Sequence, residues 1–149
     1  MVLMGVGMSA DIELLSILLL KAREGAVASI KPVLQEHELT EQQWRVIREL
    51  HKNGDMNAQR LAEESGILSP SLSRILARFT DDGVVVRKTD KQDQRAQSIR
   101  LSAKGKRLHD RIHPKVASKY KSVEAHLGGD TIIKLQSLLQ SVSSSLPNI

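Results

Sequence analysis

Residues 61 to 79, LAEESGILSPSLSRILARF, constrain the fold more than any other stretch of this sequence. Ala62 suits the close crossing of two helices, and Gly66, four residues on, suits a tight turn whose backbone needs positive φ. Ser69 is a good N-cap, and Pro70 then takes the first helical position, where its missing N–H costs nothing. Leu72, Ile75, Leu76 and Phe79 recur at helical spacing and form one apolar stripe. Ser71, Ser73, Arg74 and Arg78 fall on roughly the opposite arc. Small hydroxyls and forked cations are the side chains that read base edges and phosphates. The stretch reads as a helix-turn-helix whose second helix, 70–81, faces outward. The alternative is an ordinary amphipathic hairpin, and the flanking sequence decides between them.

After Gly83 the pattern changes. VVVRKT is short and β-branched, KQDQRAQ is polar, and SIRLS alternates again with Ile99 and Leu101 on one side. Two strands with a charged tip directly behind a recognition helix have the layout of a winged helix-turn-helix. Charge follows the same plan. The chain carries a net +5, and 82 to 107 hold eight Lys or Arg against three Asp, so the remainder is near neutral. A basic run is usually a solvated face, but one coinciding with a wing and a recognition helix is better explained as a phosphate footprint.

The flanks predict a dimer. Residues 11 to 37 read as one long helix capped by Asp11, apolar on most sides, with Pro32 kinking it or ending its regular part. A helix so apolar must be buried, and a 149-residue chain has few elements to cover it, so a second subunit is expected. Thr40 and Gln43 make a capping box for the next helix, whose inner face carries Trp44, Ile47 and Leu50. Asn57 opens the helix before the turn. Ser102 caps a helix running to about Leu127 with Pro114 inside it, and Gly128 and Gly129 break it. In the last helix, Ile132, Leu135, Leu139, Val142 and Leu146 form an a/d seam about two heptads long. The fold class is therefore mainly α with a small β-hairpin: a winged helix-turn-helix, 38–101, between dimerisation helices at 1–37 and 102–149.

Several classes are disfavoured. There is no cysteine, which excludes disulfides, thiolate metal sites and cysteine nucleophiles. No Gly-rich phosphate loop, H-E-x-x-H or G-x-S-x-G occurs, so an enzyme is not expected. MVLMGVGM lacks a basic n-region and LLSILLL at 14–20 is too short to span a bilayer, so no signal peptide or membrane anchor is read and the expected location is the cytoplasm. Met8 is an alternative start.

The order of elements resembles the MarR family of bacterial transcription regulators from about residue 10 to 146. The most specific motif is DQR at 93 to 95 followed by Leu101, Ser102 and Gly105, similar to that family's wing pattern, D-x-R with a downstream L-[ST]-x-x-G. The resemblance implies that Arg95 enters the minor groove while Asp93 orients its guanidinium, a planar cation suited to a narrow A·T-rich groove. Ala96 and Gln97 depart from the further basic residue that many members carry. KAREG at 21–25 and LTEQQWRVIREL at 39–50 resemble the branch regulating aromatic-acid catabolism, with homoprotocatechuate-degradation regulators nearest.

These readings assign Ser69, Ser71, Ser73, Arg74 and Arg78 to a major groove and Asp93 and Arg95 to the wing, with Arg74 the first choice as base reader and Lys88 and Lys91 at most phosphate contacts. The partners expected are double-stranded DNA with a pseudo-palindromic operator, a second copy of the chain, and a small aromatic carboxylate that releases a repressor. Arg23, on the greasy first helix, pairs with a ligand carboxylate or with an acid such as Glu24 or Glu49. Trp44 forms a pocket wall or plain core, and Ser16 is the weakest ligand candidate. His109 and His113, one helical turn apart and expected to be exposed, have a spacing that can chelate zinc, but no further ligand is evident and no cofactor is expected. A zinc-responsive regulator and a winged-helix protein-interaction module are the alternatives.

Overall fold

The computed structural model describes residues 10–89, Gln92 and 97–147. The expectations for 1–8, Lys91, Asp93, Arg95 and Ala96 lie outside the described residues. Among the described residues, seven helices and a hairpin follow in the order α1 (Ile12–Ala28), α2 (Lys31–Gln35), α3 (Glu41–Asn53), α4 (Ala58–Ser65), α5 (Ser69–Asp81), β1 (Val85–Thr89), β2 (Gln97–Leu101), α6 (Ala103–Leu127) and α7 (Gly129–Ser145).

Caps set most of these boundaries. The Asp11 carboxylate accepts from the Leu14 amide at 2.9 Å. Thr40 and Gln43 satisfy each other's backbone amides in the expected box. The Asn57 side chain accepts from the Arg60 amide, and Ser102 Oγ from the Gly105 amide. Gly66 closes α4 in the left-handed region at φ 62°, as the turn requires.

Two boundaries differ from expectation. The first helix is not continuous over 11–37: it stops at Ala28, and Pro32 lies in the first turn of a separate α2. A proline restricts the residue before it and lacks a donor, so helix resumes cheaply with Pro32 near its start. Ser69 is not the N-cap of α5. Leu68 holds that position in extended conformation, and Ser69 is the first helical residue with Pro70 second. No side chain caps this helix. By contrast, α6 runs through Pro114 unbroken.

The core gathers beneath the reading head. Trp44, Val46, Ile47 and Leu50 of α3, Leu61 of α4, Leu72, Ile75, Leu76 and Phe79 of α5, Ile99 and Leu101 of β2, and Ile112 and Val116 of α6 are all buried together. β1 and β2 pair antiparallel, Val85 opposite Leu101 and Thr89 opposite Gln97. Met56 pairs with Ile99 through both backbone hydrogen bonds, 3.0 and 2.7 Å, which ties the hairpin to the α3–α4 link.

The outer helices are different. Only Val27 of α1 and no residue of α7 is buried. Leu14, Ile17, Leu18 and Leu20 on α1 and Ile133, Leu135, Leu138 and Leu146 near the other terminus face solvent in the single chain. Ile132 and Leu139 are half-buried. No helix among the described residues is long and apolar enough to cross a membrane.

Candidate nucleic-acid interface and adjoining cavity

Helix α5 divides cleanly by face. Leu72, Ile75, Leu76 and Phe79 point into the core, which fixes the rotation of the helix about its axis. Ser69, Ser73, Arg74 and Arg78 are thereby exposed and Ser71 half-buried. Arg78 is steered by Asp82 one turn on, Nε to Oδ2 3.5 Å. Arg74 is exposed, with no ion pair to another described residue. Both ends of the helix are held. The Ile67 amide donates to the Ala62 carbonyl, and after the helix the Val84 amide donates to Phe79 at 2.8 Å, with Gly83 at φ 72°.

The hairpin adjoins this helix, and its strands carry Arg87, Lys88 and Arg100. Its base is locked to α6. The Ser102 amide donates to the Val84 carbonyl at 3.0 Å, Ser102 Oγ donates to Gly83 at 2.5 Å, and Lys104 Nζ donates to Asp82 at 2.6 Å. Gly105 fits where no side chain can, because a Cβ there would overlap the Val84 carbonyl oxygen. This accounts physically for the Leu-Ser-x-x-Gly run that closes the wing motif.

Behind the reading head, α3 and α6 flank an open cavity of about 340 Å³. Trp44 and Arg48 of α3 and His113, Tyr120 and Lys121 of α6 line it. Arg48 Nη2 rests 2.7 Å from Glu49, whose side chain is only 5 % exposed, while the Arg48 side chain is 53 % exposed. Burial, then the charge of Glu41, pushes the Tyr120 hydroxyl above the usual phenol value, so it stays a donor. The lining thus combines an aromatic wall, a phenol, two cations and one acid, Glu124, with Arg48 itself paired to Glu49.

Of the sequence-derived ligand residues, only Trp44 lines this cavity within one chain. Arg23 is instead ion-paired with Glu24 at 3.1 Å and Glu41 at 2.6 Å, and Ser16 Oγ donates to the Glu13 carbonyl. Arg48 and Tyr120 escaped the sequence reading, although Arg48 stands one turn from Trp44 and Tyr120 shares the inner face of α6 with His109, His113 and Val116.

The histidines also differ from expectation. His109 is buried, its side chain 6 % exposed, because the face of α6 it shares with Ile112 and Val116 packs on α3. His113 remains exposed. The His109 ring stacks on His51 with centroids 3.5 Å apart, on His113 at 5.0 Å and on Trp44 at 5.5 Å. His109 Nδ1 lies 3.0 Å from Asp110 Oδ1, and among the described residues His51, His109 and Asp110, rather than His109 and His113, bring potential ligand atoms together, all within 4.8 Å of one another.

Comparison with known proteins adds three relatives. A MarR family model matches residues 39–96. The HTH-type transcriptional regulator FarR of Neisseria gonorrhoeae is 37 % identical over 84 % of this chain and 86 % of its own length. The homoprotocatechuate degradative operon repressor of Escherichia coli is 38 % identical over 85 % of each. Among solved structures, NadR in complex with 4-hydroxyphenylacetate superposes with a TM-score of 0.80 at 35 % identity, covering 97 % of this chain and all of that one. With the helix-turn-helix, the hairpin and the Ser102–Gly105 lock all in place, the chain belongs to the MarR family of transcription regulators.

Proposed function

We propose that this chain is a homodimeric repressor that binds a pseudo-palindromic operator and releases it on taking up a small aromatic acid. The observation that carries the DNA reading is the division of α5, whose apolar stripe is buried while Ser69, Ser73, Arg74 and Arg78 are left to solvent beside a basic hairpin. Arg74 reads a base edge, Ser71 and Ser73 contact bases or phosphates, and Arg95, oriented by Asp93, enters the flanking minor groove. The exposed leucines of α1 and α7 meet those of a second copy. Two-fold symmetry then sets half-sites about one helical turn, roughly 10 bp, apart.

The effector reading rests on the cavity and on the relatives, one a repressor of an aromatic-acid operon and another bound to 4-hydroxyphenylacetate. The aromatic ring lies against Trp44, the carboxylate meets Arg48, and the Tyr120 hydroxyl donates a hydrogen bond. Arg23 and Ser16 stay secondary candidates. The ligand shifts the spacing of the two heads only by binding one arrangement better than the other.

Enrichment of random duplexes on the purified protein, followed by a screen of phenolic acids against the enriched site, tests the reading. The expected result is a pseudo-palindrome released by an aromatic acid. Failure to enrich any sequence would count against an operator-binding repressor.

A further inference from the structure

The imidazole cluster beside the cavity is unexplained by DNA binding. Helix α3 supplies His51 and Trp44, and α6 supplies His109, Asp110 and His113. His113 lines the cavity and stacks on His109, which stacks in turn on His51 at an interplanar angle of 12°.

That geometry favours protons over a metal ion. The lone pairs of an imidazole lie in its ring plane, and a cation sits about 2.1 Å along one of them. Two rings stacked face to face at 3.5 Å send their lone pairs out in parallel planes that do not converge. A proton needs no convergence. Only one of two rings so close can carry charge comfortably, and the Asp110 carboxylate, within 3.0 Å of His109 and 3.7 Å of His51, is placed to stabilise it.

The surroundings fix the direction of the effect. From α3, Arg48 faces the cavity but is offset by Glu49. From α6, Lys121 and Glu124 line the cavity beyond His113. Toward the hairpin, Asp55, Arg100 and Lys106 share a cleft with His51 and Asp110. From α2, Glu36 is engaged by Lys115. An anion entering the cavity adds negative charge beside His113, where the lining already holds one further cation, Lys121, one acid, Glu124, and an Arg48 engaged by Glu49, and added negative charge favours the protonated imidazole.

We propose that effector binding is proton-linked: the cavity takes up its aromatic carboxylate together with a proton on the His109–His113 pair. This rests on the effector reading above. Burial holds the His109 imidazole below the usual histidine value in the free chain, leaving it neutral near pH 7 and able to accept the proton.

Calorimetric titration of the full chain with 4-hydroxyphenylacetate and with phenylacetate, in buffers of different ionisation enthalpy, measures the proton directly. The carboxylates titrate far below this range and phenylacetate has no phenol, so uptake reports the protein. Binding is expected to be roughly threefold to tenfold tighter at about pH 6 than at about pH 8, with proton uptake, and to flatten in His109→Gln and His113→Gln. Histidine Cε1–H resonances of the unsubstituted chain, with and without ligand, give the same answer should a variant not fold. Binding without proton uptake overturns the linkage and leaves the effector reading standing. No binding at either pH overturns both, and a pH effect abolished by a chelator assigns the cluster to a metal instead.

Discussion

Arg45 of α3 reaches across to the end of α4, where its Nη1 donates to the Ser65 carbonyl at 2.5 Å and to Gly66 at 3.3 Å. The same side chain is ion-paired with Glu41, which also holds Arg23 of α1. A continuous polar path thus runs from the first helix to the turn of the helix-turn-helix. Arg45→Met leaves those carbonyls without their cation and is expected to cost roughly 1–2 kcal/mol in urea denaturation. It should weaken DNA binding without changing its salt dependence, since no phosphate contact is lost.

Gly105→Ala places a Cβ into the Val84 carbonyl, which belongs to the backbone joining α5 to β1 and cannot swing aside. A loss of about 2 kcal/mol or more is expected in the same assay. Ser102→Ala removes the cap on the Gly105 amide and the hydrogen bond to Gly83, and should cost about 1 kcal/mol.

Stability should fall as the solution is acidified through the histidine range. The folded-state pKa of His109 lies below its usual value, chiefly through burial, with the Asp110 hydrogen bond opposing. The unfolded chain therefore binds the proton first as pH drops below about 6.5, and unfolding is favoured down to the lowered native value. The unfolding free energy measured in urea is expected to decrease between about pH 7 and about pH 5.5, at up to roughly 1.4 kcal/mol per pH unit, and His109→Gln should reduce that slope.

The apolar outer faces should be dimer contacts. Leu18 is 53 % and Leu138 66 % exposed in the single chain. Leu18→Glu and Leu138→Glu would place a charge in an apolar interface, and sedimentation should show monomers where the unsubstituted chain shows dimers. Unchanged dimers for both variants would mean that these leucines lie outside any interface.

The reading head was legible because its information is local. The Gly66 turn, the stripe from Leu72 to Phe79, the Thr40–Gln43 box and the Ser102 cap all act within a few residues, and each is found in the structure. Apolar residues continue past Ala28 and conceal both the break there and the restart at Lys31. Ser69 suits an N-cap and a first helical position equally well, so residue type does not separate it from Leu68 as the cap. The cavity and the histidine stack were hidden for another reason. Arg48 and Tyr120, like His51 and His109, meet only when α3 packs on α6.

Fluorescence anisotropy of the enriched duplex, titrated with the unsubstituted chain and with an Arg74→Ala, Arg95→Ala double variant across a range of salt, tests the central claim most directly. Sequence-specific grip by α5 and the wing predicts affinity that falls steeply with salt, with a log–log slope of roughly −5 or steeper for about six phosphate contacts, and that collapses in the double variant. Binding that ignores salt, or that survives the loss of both arginines, would contradict it.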